Sequence, residues 1–584
     1  MDVSQATQLT NVLFNMPTFS TGHIGVSTYG GKLYNSNTIF NDLKFVGGAF
    51  GIYINDFQQA EFKNMTFSGC NVGFHAGGTN VVITSSSFSD GSTGIDANGV
   101  SGSLTVIDTT FDSIGTCITS YNSNGVQNSM ILENVINVNS GNTVELSNTP
   151  LVTGNVSDTW IHGNYYAPGD GTAQYENALT LSTPRSPSLL EHGFYFTMPP
   201  PTFSSYSVSQ VVNIKSVPEF PVYGDGKTDD TANINAILSA YAGCAVIYFP
   251  AGTYIVSNTI FVPASSRIYG DAYASAISAN GSVFYNPDSP VPMVQVGNAS
   301  DVGVAQINDM LFTTADVLQG CKLLEVNIAG SSQGDVGIWN SHFRVGGAAG
   351  SLVEVNCGST PDQCKAAWGL LHLTSSSSAY VENMWGWVAD HDLDGYNAQI
   401  ISVGRGALIE ATAGTWLVGT AMEHNTLYQY NFNNAANVYT AMQQSETAYW
   451  QGANTASAWA PSPWTNNLVA SDPDFSECGP FDAQCRMAFF ERIRDAQNLF
   501  LYGGCDWTYF NGYGNECDNL GSSTYCQQNA VRVLGNTTAT YLYGTNVHSI
   551  ENLMLNGNGP VASSPSNYGG WTPGGVVAAY LYNA

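Results

Sequence analysis

The sequence is short of positive charge. Only 15 of its 584 residues are Lys or Arg, against 44 Asp and Glu, and the net charge is −29. Nucleic acid is excluded as a partner, because gripping phosphates takes clustered Lys and Arg. Polyanionic sugars are disfavoured for the same reason, and a neutral ligand is the simplest expectation. Charge of either sign is scarce, at 10% of residues. Helix bundles, which draw on Lys, Glu and Ala, do not fit. Neither does disorder, which is poor in aromatics, because Phe, Trp and Tyr make up 12% of this chain. No apolar run approaches the ~20 residues of a membrane span. The opening "MDVSQATQLT" has neither a basic segment nor an apolar core, so no signal peptide is visible. No Cys-x-x-Cys or Cys/His zinc spacing occurs, and no metal or other cofactor is expected.

What is plentiful is Gly, Asn, Ser, Thr and Tyr, a profile that suits β-strands joined by many turns. A hydrophobic fraction of 43% can fill a large core, and 584 residues exceed one ordinary domain. The first 150 residues repeat. "DLKF", "NMTF", "SSSF" and "DTTF" end at Phe45, Phe67, Phe88 and Phe111, at intervals of 22, 21 and 23. Seven residues after each Phe stands another apolar residue: Ile52, Phe74, Ile95 and Ile118. A period near 22 with short strands is what a coil of a parallel β-helix requires, each coil adding its inward residues to a stacked column. A leucine-rich repeat is excluded by the missing Leu-x-x-Leu-x-Leu frame, and a propeller by its period of roughly 40 or more.

"RSPSLLEHGFYFTMPPPTFSSYSVSQ" breaks the pattern and reads as a linker. After it, Asp229 and Asp230 mark a helix start before "ANINAILSAY", with their charge beside the helix dipole. This short helix caps a new stack of strands that begins with "AVIYFPAGTYIVSNTIFVP". The expectation is an all-β chain of two tandem β-helices, residues 1–184 and 220–584, joined by a linker over 185–219. Among the cysteines, Cys357/Cys364 and Cys478/Cys485 flank short Pro-bearing loops and Cys517/Cys526 forms a third candidate pair, so three disulfides are expected. Cys70, Cys117 and Cys244 read as reduced, buried thiols. N-x-S/T sequons stand at Asn64, Asn155, Asn280, Asn298 and Asn536, each weak evidence of secretion.

Two glutamates, Glu423 and Glu446, lie 23 residues apart among tyrosines and amides. In coils of about 22 residues they are neighbours on one wall, and two such carboxyls raise each other's pKa. One protonated and one ionised carboxyl is the arrangement glycoside hydrolysis uses. The spacing alone leaves open that both are surface carboxylates on unrelated coils.

"VYGDGKTDDT" followed by "VIYFPAGTYIVS" resembles the opening of pectate-lyase-like right-handed β-helices. "SHFRVGGAAGS", "VENMWGWVADHDLDG", "GRGALIEATAGTWLVGTAMEHNTLYQYNF" and "QQSETAYW" together resemble fungal glycoside hydrolase family 55. That resemblance implies a secreted, exo-acting and inverting hydrolase of β-1,3-glucan. It implies Glu446 as the general acid, Glu423 as the carboxylate that holds or activates water, and Gln5 of "VSQATQLT" as a further water ligand. Trp385, Trp387, Asp390, His391, Tyr428, Gln444 and Tyr449 form the expected sugar-binding set; Trp385 and Trp387 share one side of a strand. Arg344, Arg405 and Glu410 are expected in buried structural pairs.

The family carries a second copy of the "GDGxTDD" opening, found here only at Gly224, so the first β-helix looks truncated at its N-terminus. Tyr29 falls where the family has a water-holding Ser. The chain is expected to act as a monomer on a neutral polysaccharide, away from membranes. Two other readings stand beside this one: a non-catalytic glucan-binding β-helix, and a polygalacturonase- or pectate-lyase-like enzyme.

Overall fold

The computed structural model describes residues 5–28, 36–121, 129–168, 172, 174–357, 364–395, 397–452, 461, 463–519 and 524–583. Tyr29 lies outside them. Two parallel β-helices stand side by side. In the first, one face stacks Ile39, Glu61, Val82, Thr105 and Ile131 in register, one residue per coil. A second face stacks Phe14, Phe45, Phe67 and Phe88, and a third Val26, Ile52, Phe74 and Ile95. The columns expected from the repeat are therefore real.

The rings of Phe14, Phe45, Phe67, Phe88 and Phe111 form a continuous ladder, with centroids 4.6–4.9 Å apart. That is the strand spacing itself. The ladder explains the Gly that precedes the third-face residue in several coils. A Cβ added at Gly51, Gly73 or Gly94 would lie 2.5, 2.6 or 2.5 Å from the ring of Phe67, Phe88 or Phe111.

The second β-helix opens under the helix Thr231–Tyr241, which buries Ile234, Ile237 and Leu238 in the core. One of its columns runs Ile247, Ile268, Ile307, Ile338, Val381, Leu417, Thr440, Leu501 and Leu542. The side chain of Asp230 does not cap the helix, contrary to expectation. It accepts hydrogen bonds from the amides of Tyr223 and Gly224, both 2.9 Å, and so fixes the turn before the strand. Disulfides join Cys357 to Cys364, Cys478 to Cys485 and Cys517 to Cys526. Cys70 and Cys117 are buried thiols, but Cys244 faces solvent in the turn after the capping helix.

The C-terminal strand Gly574–Tyr582 fastens the two stacks together. It runs antiparallel to Thr538–His548 of the second helix and parallel to the end of Val156–Tyr166 of the first. Between the stacks, Ile39, Val82, Ile107 and Ile131 pack with Val418, Ala441, Tyr502 and Tyr543. Gly419 allows the closest approach: it has φ +60°, and a Cβ there would meet the side chain of Ile39 at 2.0 Å. Charge is buried at this seam. Lys63 pairs with Glu382 at 2.8 Å, and Asn41 donates to the same carboxylate at 2.6 Å. Arg185 holds Asp108 at 2.7 Å and also pairs with Glu133, which accepts from Tyr502.

Gly73→Ala is expected to cost about 1–3 kcal/mol, because the added methyl must displace the Phe88 ring or its coil. Denaturant unfolding measures this. A loss below ~0.5 kcal/mol, the range of an unremarkable surface change, would mean the ladder yields freely.

Candidate active site

One outward row crosses six coils of the second helix: Arg344, Trp387, Glu423, Glu446, Trp507 and His548 are consecutive register partners. Glu423 ends the strand Thr415–Glu423 and Glu446 ends Ala436–Glu446. The 23-residue spacing thus places the two carboxylates directly side by side, where strands lie ~4.8 Å apart.

The two carboxyls have different surroundings. Glu423 is 1% exposed and Glu446 8%. Gln5 of the first helix donates its amide to Oε1 of Glu423, and Trp385 donates its indole N–H to Oε2 at 2.9 Å. On the other side, the hydroxyl of Tyr449 donates to Oε2 of Glu446 at 2.6 Å. Burial, and then the charge of Glu446, push the Glu423 carboxyl up to about 8. The site therefore retains a proton well above the ordinary carboxylate range.

His424 was not anticipated, although "MEH" contains it. Its φ of +64° turns the chain just after Glu423. Its Nδ1 donates to the carbonyl of Val388 at 2.9 Å, and its Nε2 lies 3.6 Å from Glu446. Burial alone would lower its pKa, but Glu446 and Asp390 outweigh burial and hold it up at about 9. The raised value favours the imidazolium beside Glu446 at neutral pH. The sequence cue was a histidine adjoining a carboxylate that the repeat already placed on a wall.

The sugar-binding candidates separate into three groups. Trp385 and Trp387 do share a side, and their rings stack on each other at 5.3 Å. Trp387 is 3% exposed beneath the half-buried Trp385. Its N–H donates to Asp390, which also contacts His391 at 3.0 Å. Gln444, two residues before Glu446 on the same side, borders Glu423. Tyr428 does not belong here. It lies past a corner, in the separate sheet that pairs Arg405, Tyr428 and Phe489, packed with Trp464 and Phe475. Arg405 is paired with Asp472, and Glu410 with His372 at 2.9 Å. Arg344 departs from expectation: it has no ion pair among the described residues, and its Nε is buried without a partner.

The row is closed at one end. Trp507 is fully buried, with its N–H on Gln59 of the first helix at 2.8 Å, and His548 stacks on Trp571 at 4.5 Å. Tyr449 packs against Phe510 at 4.6 Å, and Tyr509 lies 5.6 Å from Trp571. These rings form a wall. At the other end, Trp385 and Arg344 remain partly exposed.

A family described as "Rhamnogalacturonase A/epimerase, pectate lyase-like" matches residues 1–96 and 214–456. A probable glucan endo-1,3-beta-glucosidase of Arthroderma benhamiae is 38% identical over 65% of this chain, which spans 43% of that protein. The glucan endo-1,3-beta-glucosidase BGN13.1 of Trichoderma harzianum is 34% identical, over 92% of this chain and 71% of its own. A glucan 1,3-beta-glucosidase of Cochliobolus carbonum is 30% identical over 92% of this chain and 68% of its own.

Folded, Glu423 keeps its proton up to about pH 8; its ordinary value is 4.5. Between these values the native state binds more protons than the unfolded one, so stability falls as pH rises through the window. Glu423→Gln removes that dependence. The variant is expected to melt above the parent at pH 7.5 and to converge with it near pH 4; parallel melting curves would place the proton elsewhere.

Proposed function

We propose that this chain, which belongs to the pectate-lyase-like family and within it to glycoside hydrolase family 55, hydrolyses β-1,3-glucan through Glu423 and Glu446. The observation that carries the reading is their direct register pairing with diverging partners. Gln5 and Trp385 hold Glu423 from one side, and Tyr449 holds Glu446 from the other. Backbones ~4.8 Å apart are too close for two carboxyls that must admit a water between sugar and base, which takes ~6.5–9.5 Å. Inversion therefore requires the two side chains to splay apart at their tips, and their separate hydrogen-bond partners support that reading.

Glu446 is the acid in this reading. It is the more exposed carboxyl, with only one oxygen engaged by the Tyr449 hydroxyl. Glu423 and Gln5 hold the water. One feature favours the exchanged roles: burial raises the Glu423 carboxyl well above its ordinary range. The aromatic wall past Trp507 supports exo action, since a groove blocked at one end takes a chain end rather than a chain middle. The short-loop disulfides and the exposure of all five sequon asparagines support an extracellular setting.

The test uses the full chain with laminarin and with polygalacturonate, the products being resolved by size. Glucose accumulating from laminarin without intermediate oligosaccharides is expected. An early ladder of oligosaccharides would make the enzyme endo-acting, and products from polygalacturonate alone would favour the pectic reading. Glu446→Gln should lower laminarin turnover by roughly 10²–10⁴ yet spare an aryl β-glucoside whose leaving group needs no proton. If Glu423→Gln shows that pattern instead, Glu423 is the acid.

A further inference from the structure

A groove of about 1180 Å³ lies apart from the two acid-site carboxylates. It lies where the second helix rises beside the first coil of the first helix, under the linker segment Pro199–Ser204. One wall is an outward row, Tyr248, Tyr269, Asn308 and Trp339, with one residue on each of four successive coils. The other wall comes from the first helix and includes Gln8, Asn11 and Asp42. Gln8 stands three residues from Gln5, so the groove adjoins the catalytic cleft without containing either carboxylate.

Two side chains in its floor are buried and unsatisfied. Asn308 is 1% exposed; its amide nitrogen donates to the carbonyl of Pro201 at 3.3 Å, which fixes its Oδ1 as a free acceptor. Trp339 is fully buried, and its indole N–H has no partner among the described residues. These two are register neighbours. A buried polar group without a partner is destabilising, so both call for an occupant that donates to one and accepts from the other. A hydroxyl group does both.

The remaining lining matches the same chemistry. Tyr269 is 40% exposed and offers a ring face, while Tyr248 is held by two 2.9 Å hydrogen bonds to Asp271. Asp42 keeps one buried carboxylate oxygen unpartnered. Lys44 is the one basic residue of the lining against Asp42, Asp271 and Asp309, so the groove repels anions. Rings that stack on sugar faces and acceptors for hydroxyls describe a saccharide site.

We propose that this groove is a second, non-catalytic site that holds a neutral glucan chain next to the cleft. It rests on the glucan reading only for the identity of the sugar. The test uses the full chain carrying Glu446→Gln, and co-sedimentation with an insoluble β-1,3-glucan. Tyr269→Ala and Trp339→Phe, made separately in that background, should each weaken binding tenfold or more. In the active parent, the same changes should leave hydrolysis of a soluble β-1,3-linked trisaccharide within twofold. Binding unchanged by both variants overturns the proposal. So does equal loss of binding and of trisaccharide hydrolysis, which would mark a structural defect.

A panel of other insoluble neutral polysaccharides separates this claim from the catalytic reading. If β-1,3-glucan is neither cleaved nor bound, that reading fails. The groove then stands if another polysaccharide is bound and released by Tyr269→Ala, and falls if none is bound.

Discussion

Everything in this molecule depends on parallel strands stacking one residue above its equivalent in the next coil. The hydrogen-bond ladder fixes the step at ~4.8 Å, and any column of like residues inherits it. In the core that column is a ladder of phenylalanine rings 4.6–4.9 Å apart. On the outer wall the same step sets Glu423 against Glu446. The same step holds two carboxyls together, and burial first, then the neighbouring charge of Glu446, raises the Glu423 carboxyl to about 8.

The second constraint is lateral. Neither β-helix alone contains the site: Gln5 comes from the first and the carboxyls from the second. The seam is specified by pairs that tolerate no slippage. Lys63 reaches Glu382, Asn80 reaches the carbonyl of Gly503 at 2.9 Å, and Trp507 reaches Gln59. A slip of one coil would leave each of these groups buried and unpaired, the expensive outcome for a polar or charged side chain. The C-terminal strand, hydrogen-bonded to both stacks, adds a backbone tie to the same register.

The periodic part of this structure was legible in the sequence, and the aperiodic part was not. Phe45, Phe67, Phe88 and Phe111 announced the coil length of the first helix. Coils of the second helix vary widely in length, so the spacing of Glu423 and Glu446 left their pairing open and the family resemblance pointed to it. Tyr428 was misplaced because a corner at 424–427 carries the chain into another sheet, and residue counting does not see corners. Arg344 was read as half of a pair because a cation inside an acidic chain usually finds a carboxylate. Here it faces outward along the row that holds the glutamates. The contact between Gln5 and Glu423 has no period, since the two residues are 418 apart; the resemblance of "VSQATQLT" to a family motif pointed to it.

The central claim is that carboxyls on adjacent coils act as acid and water-holder in a single displacement. Proton NMR of the first glucose released from a β-1,3-glucan tests this most directly. The account predicts the α-anomer first, with the β-anomer appearing only through mutarotation. Initial β-glucose would mean that a carboxyl attacks the sugar itself, with the pair standing ~5–5.5 Å apart, and would contradict the account.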